Sequence, residues 1–431
     1  MDVLFNKCII RDGINLFTLK TDKFKTSVLK LSIAFPSNAD DRETALFSLM
    51  INVLRCGTER YPEKSDIIKR LGDLYDASCS MGGYASGDNR ILEISSEMLS
   101  DRFSSEESIL NGVTELMDQL IYHPFMADGK AFPSDTVERE KKVLCDKIKS
   151  AKNNSREYAF KRCREIMCDG EPYGCSVKIE CLNDITSAEL TEYYKTLLSR
   201  AELCFSYVGD EDIGRIAEIL RKHFGNELIG VSEAIKPLSC RLPDKVRSCD
   251  EDLDIKQGVL VLGFKSGILL GDKYSDAMRV FNNIFGGTAT SRLFTVIREK
   301  MGLCYYCDSD YVSTKGLMFV SSGIDVDDRE KVQSEIINQL ELLKTQPVSD
   351  GELSVAKDLA VKELKELFDY QAALATYRYS YSIYGLDCDI NEKIEDVKRI
   401  TAEDIREIAN MLRLDTVFFL KGNREEDESD D

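Results

Sequence analysis

Residues 298–311, REKMGLCYYCDSDY, hold the chain's most chemically suggestive spacing: Cys304 and Cys307 as a Cys-x-x-Cys pair, and Arg298 and Tyr305 seven positions apart. The cysteine pair has three readings: half of a metal clamp, a redox couple, or two neighbouring thiols. Alternation over 303–311 predicts a strand with Leu303, Tyr305, Cys307 and Tyr311 on one face. Cys304 and Cys307 would then point to opposite faces with Cα atoms about 10 Å apart. That is beyond the roughly 7 Å a disulfide tolerates, and no second Cys pair stands ready to complete a zinc site. Arg298 and Tyr305 offer different chemistry, a planar guanidinium and a phenol that both donate hydrogen bonds to developing negative charge. Taken alone, they also fit a salt bridge at a helix end and a ring packed in a sheet.

Only two histidines occur, His123 and His223, which nearly excludes a His-rich metal site. His123 in YHPF and His223 in RKHFG read as capping or surface residues. Residues 44–54, TALFSLMINVL, are apolar nearly all round, predicting a buried helix. Its polar stripe Ser48, Asn52 and Arg55 contains poor zinc ligands and no acid to act as base. FGGTATSRLF (285–294) lacks the Lys-Ser/Thr of a phosphate loop and reads as a helix entry. Ser349 and Glu352 predict a capping box, residues 375–385 an aromatic stripe in the core, and 138–149 a solvated helix face.

The elements that carry these residues occur twice. NVLRCGT (52–58) is echoed by NNIFGGT (282–288), and fourteen residues beyond each threonine stand Gly72 and Gly302. Residues 173–210 and 384–423 share Tyr-Gly, a loop, an Ile-Thr helix start, a helix and a strand ending at Gly209 or Gly422. The pattern predicts a duplication joined within 226–254, with a first half at 1–230, a linker at 231–252, a second half at 253–423 and an acidic disordered tail at 424–431. Each half starts with strands (28–35 and 258–264) and ends helix–strand. The expected class is α+β, each half an antiparallel or mixed sheet with helices packed on one face.

The chain has 431 residues, 43% of them hydrophobic, and a formal net charge of −19. The acidic balance argues against nucleic acid as a partner, and no apolar run approaches the roughly 20 residues of a membrane span. The N-terminal residues lack the pattern of a secretory signal. With that, fourteen cysteines predict reduced thiols and a cytoplasmic location.

With these motifs in order, the sequence resembles the insulinase/pitrilysin family of zinc peptidases over nearly its whole length, to about Asn423. SRLFTVIREKMGLCYYCDSDY (291–311) is similar to the family's Arg-Leu-Phe…Arg-Glu-x-x-Gly-Leu-x-Tyr element. NVLRCGTERYP (52–62) resembles the segment after the catalytic helix, and VEREKKVLCDKI (137–148) the helix bearing the distal glutamate ligand. Active members carry His-x-x-Glu-His, in which two histidines hold zinc and the glutamate activates water. Aligned on Gly57-Thr58, those positions fall on Ser48, Ile51 and Asn52, and the distal ligand on Lys147. The resemblance therefore implies that this chain binds no zinc.

The family's arginine and tyrosine, which bind the substrate backbone and the oxyanion, match Arg298 and Tyr305. Some bacterial members resemble heterodimers in which one subunit has the zinc motif and the other only the Arg/Tyr element. The implied role is a non-catalytic subunit, without a cofactor of its own. It would complete the pocket of a homologous partner carrying His-x-x-Glu-His, with an unfolded peptide as substrate added to a sheet edge. The alternative is a structural or interaction protein that keeps the peptidase fold. A thiol enzyme built on Cys304 is disfavoured, since no histidine lies near it in sequence.

Overall fold

The computed structural model describes residues 5–104, 108–200, 202–225 and 234–422; the acidic tail and part of the expected join lie outside them. The chain forms two compact units that interleave along the sequence. The first takes in 1–148, 175–237 and 366–389; the second takes in 149–174, 238–365 and 390–431.

The first unit is built on β1 (Asn6–Arg11), β2 (Ile14–Lys20), β3 (Thr26–Pro36), β4 (Ser80–Ser86), β5 (Asn89–Leu99) and β6 (Glu202–Gly209), in the order β1-β2-β6-β3-β5-β4. Alternation in β3 sends Leu29, Leu31, Ile33 and Phe35 into a core shared with the helices Asp41–Leu54, Ile109–Tyr122 and Ile213–Phe224. Most of this unit's helices lie on that face. One further helix, Gln371–Ser382, covers the opposite face, where Tyr379 joins Phe17, Ala34, Ile91 and Cys204.

The second unit repeats the plan with β7 (Arg247–Leu253), β8 (Gly258–Lys265), β9 (Cys304–Val312), β10 (Leu317–Ile324) and β11 (Arg413–Gly422), in the order β7-β11-β8-β10-β9. This matches β2-β6-β3-β5-β4 strand for strand: the first pair is parallel and the rest antiparallel. The α+β class and the duplication are thus visible as topology. Residues 247–252 fall in the expected linker yet belong to β7, paired parallel with β11. Arg247 anchors it there through Asp415, 2.9 Å away.

The second sheet also carries a helix from the other half of the chain. Ser155–Met167 packs Ala159, Cys163 and Met167 against Val259, Val261, Phe319 and Phe418, with Phe160 and Phe319 ring centroids 4.4 Å apart. Each sheet thus has two apolar faces, and each second face needs a cover to leave water. Among the described residues no helix is long and apolar enough to cross a membrane.

Candidate functional site

Arg298 and Tyr305 stand on two backbone irregularities at the edge of the second sheet. The turn Phe294–Lys300 is π-helical, a geometry of single turns that recurs at functional sites. Ile297 is fully buried and pins this turn. Its neighbour Arg298 keeps 43% of its side chain exposed, 3.8 Å from Glu299, with its guanidinium carbon 4.6 Å from the Phe294 ring centroid. Gly302 then takes a positive φ of 64° that reverses the chain into β9.

β9 is an edge strand, and its register with β10 slips once. Tyr306 faces Gly323, but Ile324 faces Cys304, so Tyr305 is an extra residue, a β-bulge. Its side chain is 65% exposed, not packed in the sheet. Gly323 permits the arrangement: a Cβ there would lie 2.5 Å from the Tyr306 ring. Arg156 stacks on that ring at 4.5 Å and binds the Asp308 carboxylate at 2.6 Å. Burial nevertheless raises the Asp308 pKa, with Arg156 opposing it.

The bulge overturns the expectation for the cysteines. Past the extra residue, Cys304 returns to the face of Cys307, so the two thiols lie within hydrogen-bonding reach instead of on opposite faces. Uniform alternation from Leu303 to Tyr311 fails for the same reason. Cys307 is buried while Tyr305 is exposed. The hydrogen bond from Cys307 lowers the Cys304 pKa to about 7, assisted by Ser322 and by the charge of Arg298 against the cost of burial. Cys307 is correspondingly pushed well above an ordinary thiol, first by that bond and then by burial.

The four positions matched to zinc ligands and base do not fit a metal. The helix Asp41–Leu54 is capped by Asp40, whose carboxylate accepts from the Arg42 amide at 2.8 Å. Ser48 spends its hydroxyl on the Thr44 carbonyl at 3.0 Å. Ile51 is 5% exposed and packs with Phe47 on Gly83 of the edge strand β4; a Cβ at Gly83 would lie 2.6 Å from the Ile51 Cδ1. A methyl group therefore fills the place matched to the general base. The carbonyl of half-buried Asn52 accepts from the Cys56 thiol at 3.3 Å, and Glu140 touches the same thiol at 3.3 Å. Burial raises the Cys56 pKa. Lys147 is exposed on the helix Ser134–Ser150. A hydroxyl, an alkyl group, an amide and an ammonium offer zinc no set of ligands.

The histidines sit elsewhere. His123 caps the C-terminal end of Ile109–Tyr122, 3.6 Å from Asp118. His223 lies in the last turn of Ile213–Phe224, where Nε2 meets the Asn111 side chain at 3.1 Å. Ser349 and Glu352 form the expected capping box, and Glu352 also binds Arg292 at 2.9 Å. Sequence reasoning missed the π-helical turn, the bulge, and Ser322 between the thiols. Gly323, the residue that makes room for Tyr306, carries no sequence signal of its own.

Residues 184–359 match the model of the peptidase M16 inactive domain. The whole chain is similar to a probable inactive metalloprotease of Bacillus subtilis, at 29% identity over 95% of this chain and 96% of that one. An uncharacterized zinc protease of Mycobacterium bovis is 21% identical over 65% of each chain. Among solved structures, a conserved protein from Enterococcus faecalis superposes with a TM-score of 0.88 at 23% identity, over 98% of this chain and all of the other.

Proposed function

We propose that the chain is an inactive member of the M16 peptidase family, the insulinase/pitrilysin group, and that it acts as the substrate-binding subunit of a zinc-bearing homologue. The partner supplies the metal and the general base on its own His-x-x-Glu-His. This chain supplies Arg298 and Tyr305, whose N–H and O–H groups donate to the backbone of an unfolded peptide and to the oxyanion at its scissile carbonyl. A cytoplasmic location is part of the same reading.

One observation carries it. The zinc-matched positions are closed by packing or exposed without ligand chemistry, whereas both donors are presented to solvent from a π-helical turn and a bulge. A chain kept only as a scaffold gains nothing from an exposed phenol on a bulged edge; buried in the sheet, that ring would contribute to stability.

The test is reconstitution. The purified chain is mixed with a homologous subunit carrying His-x-x-Glu-His, and hydrolysis of an unstructured peptide is followed. Activity is expected only in the mixture, and Arg298→Ala or Tyr305→Phe removes most of it while leaving complex formation intact. Full activity with both variants sinks the donor role and favours an interaction protein that kept the fold.

A further inference from the structure

Cys304 and Cys307 have a relationship that the subunit reading does not use. The Tyr305 bulge puts both thiols on the face of β9 that meets Ser322 and Ile324 of β10. Cys307 is 1% exposed, while Cys304 is half-buried beside the exposed Tyr305. Ser322, opposite Cys307 and fully buried, holds the Tyr306 carbonyl at 2.9 Å and so fixes the backbone between the thiols. The cross-strand partners of the two cysteines, Ile324 and Ser322, are two residues apart, so the bulge shortens their separation along the strand to about 6.6 Å, inside the roughly 7 Å that a disulfide tolerates between Cα atoms. One accessible and one buried sulfur, adjacent on a single strand, is the arrangement of an attacking thiol and a resolving thiol.

We propose that Cys304 and Cys307 are an oxidation site, which a low-molecular-weight disulfide converts to an intrachain disulfide across the Tyr305 bulge and a thiol reductant restores. The Cys304 thiolate attacks one sulfur of the oxidant; a new S–S bond forms, the old one breaks, and the first leaving thiolate departs with the electron pair. Cys307 then gives up its proton and attacks the Cys304 sulfur, releasing the second thiolate. Two protein thiols lose two electrons and two protons, and the oxidant becomes two free thiols.

Other features favour this site over eight of the chain's remaining cysteines. The guanidinium of Arg298 acts on Cys304 and stabilises its thiolate. Burial instead holds Cys56, Cys79, Cys163, Cys168, Cys175, Cys204, Cys240 and Cys388 in the neutral, unreactive form. The bridge closes over the backbone of Tyr305 and fixes the direction of its phenol. That consequence for peptide binding rests on the subunit reading; the oxidation itself does not.

The test needs neither partner nor activity, so its failure is distinct from failure of the subunit reading. The reduced full-length chain is titrated with oxidised glutathione, quenched with iodoacetamide and mapped by peptide mass spectrometry. The 304–307 bridge is expected at the lowest oxidant ratio that modifies any cysteine, and dithiothreitol should reverse it. In Cys307→Ser the reaction stops at a glutathione adduct on Cys304. The inference is overturned if other thiols react first, if the native chain accumulates the Cys304 adduct without the bridge, or if both cysteines remain fully alkylated throughout.

Discussion

Arg298 lies with its guanidinium carbon 4.6 Å from the centroid of the Phe294 ring, four residues earlier in the same π-helical turn. The ring holds the arginine without neutralising it, and the carboxylate of Glu299 reaches it only at 3.8 Å. A cation–π contact at such an exposed place contributes about 0.5–1 kcal/mol. That is enough to bias a rotamer and too little to lock the charge away from an incoming carbonyl.

Removing either donor should therefore separate activity from stability. In the reconstituted complex, Arg298→Ala and Tyr305→Phe are each expected to lower kcat by about 10²-fold or more. The stability of the isolated chain in urea should change by no more than about 1 kcal/mol, the size of the cation–π contact that Arg298→Ala removes. Loss of stability in step with activity would mean that the two side chains are structural.

Ile51 gives the opposite expectation. It is buried against Gly83 and beside Phe47, so Ile51→Glu places an unpaired carboxylate in the core. A loss of at least about 3 kcal/mol is expected, from lost apolar burial and from desolvation of the acid. Ile51→Leu should cost less than about 1.5 kcal/mol. Chemical denaturation of the two variants checks this; an Ile51→Glu chain as stable as the parent would show that the pocket is open.

Asp415 tests the interior of the second unit. It is the extra residue of a bulge in β11, fully buried, 2.9 Å from Arg247 and 3.5 Å from Lys265. Glu171 shares Lys265 at 3.6 Å and binds buried Lys315 at 2.7 Å. Asp415→Asn leaves one acid facing three cations, and about 3 kcal/mol of destabilisation is expected. The loss should depend little on salt, because buried charges are poorly screened; a loss that vanishes at high salt would contradict the burial.

Cys304 and Cys307 shift in opposite directions, and Cys304 carries the part that falls near neutral pH. Its folded-state pKa is depressed from 9.0 to about 7, so the thiolate favours the fold. That contribution is complete above pH 9 and is lost as pH falls through about 7. The rate of Cys304 alkylation by iodoacetamide should rise with a midpoint near pH 7. Cys307→Ala, which removes the largest cause, should move the midpoint upward, and Arg298→Ala should move it upward by less. A midpoint in the ordinary thiol range in the parent chain would refute the contact between the two sulfurs.

What the sequence determined by itself was local or repeated. The strands at 28–35 and 258–264, the capping box at Ser349, the buried helix around Ser48 and Asn52, and the twofold plan all follow from local pattern, because side-chain period and capping chemistry act within a few residues. That Ser48, Ile51, Asn52 and Lys147 are poor zinc ligands was equally legible, since residue type alone decides it. Tertiary structure decided three other things. One was which sheet the helices Ser155–Met167 and Gln371–Ser382 cover: an apolar stripe specifies burial but not the surface it meets. Another was that residues 247–253 form a strand, which Arg247 secures through Asp415. The last was the slip at Tyr305. Register is a property of two strands, and Tyr306 fits over Gly323 only because β10 presents no side chain there. That single cross-strand fit puts the phenol outside and the two thiols together.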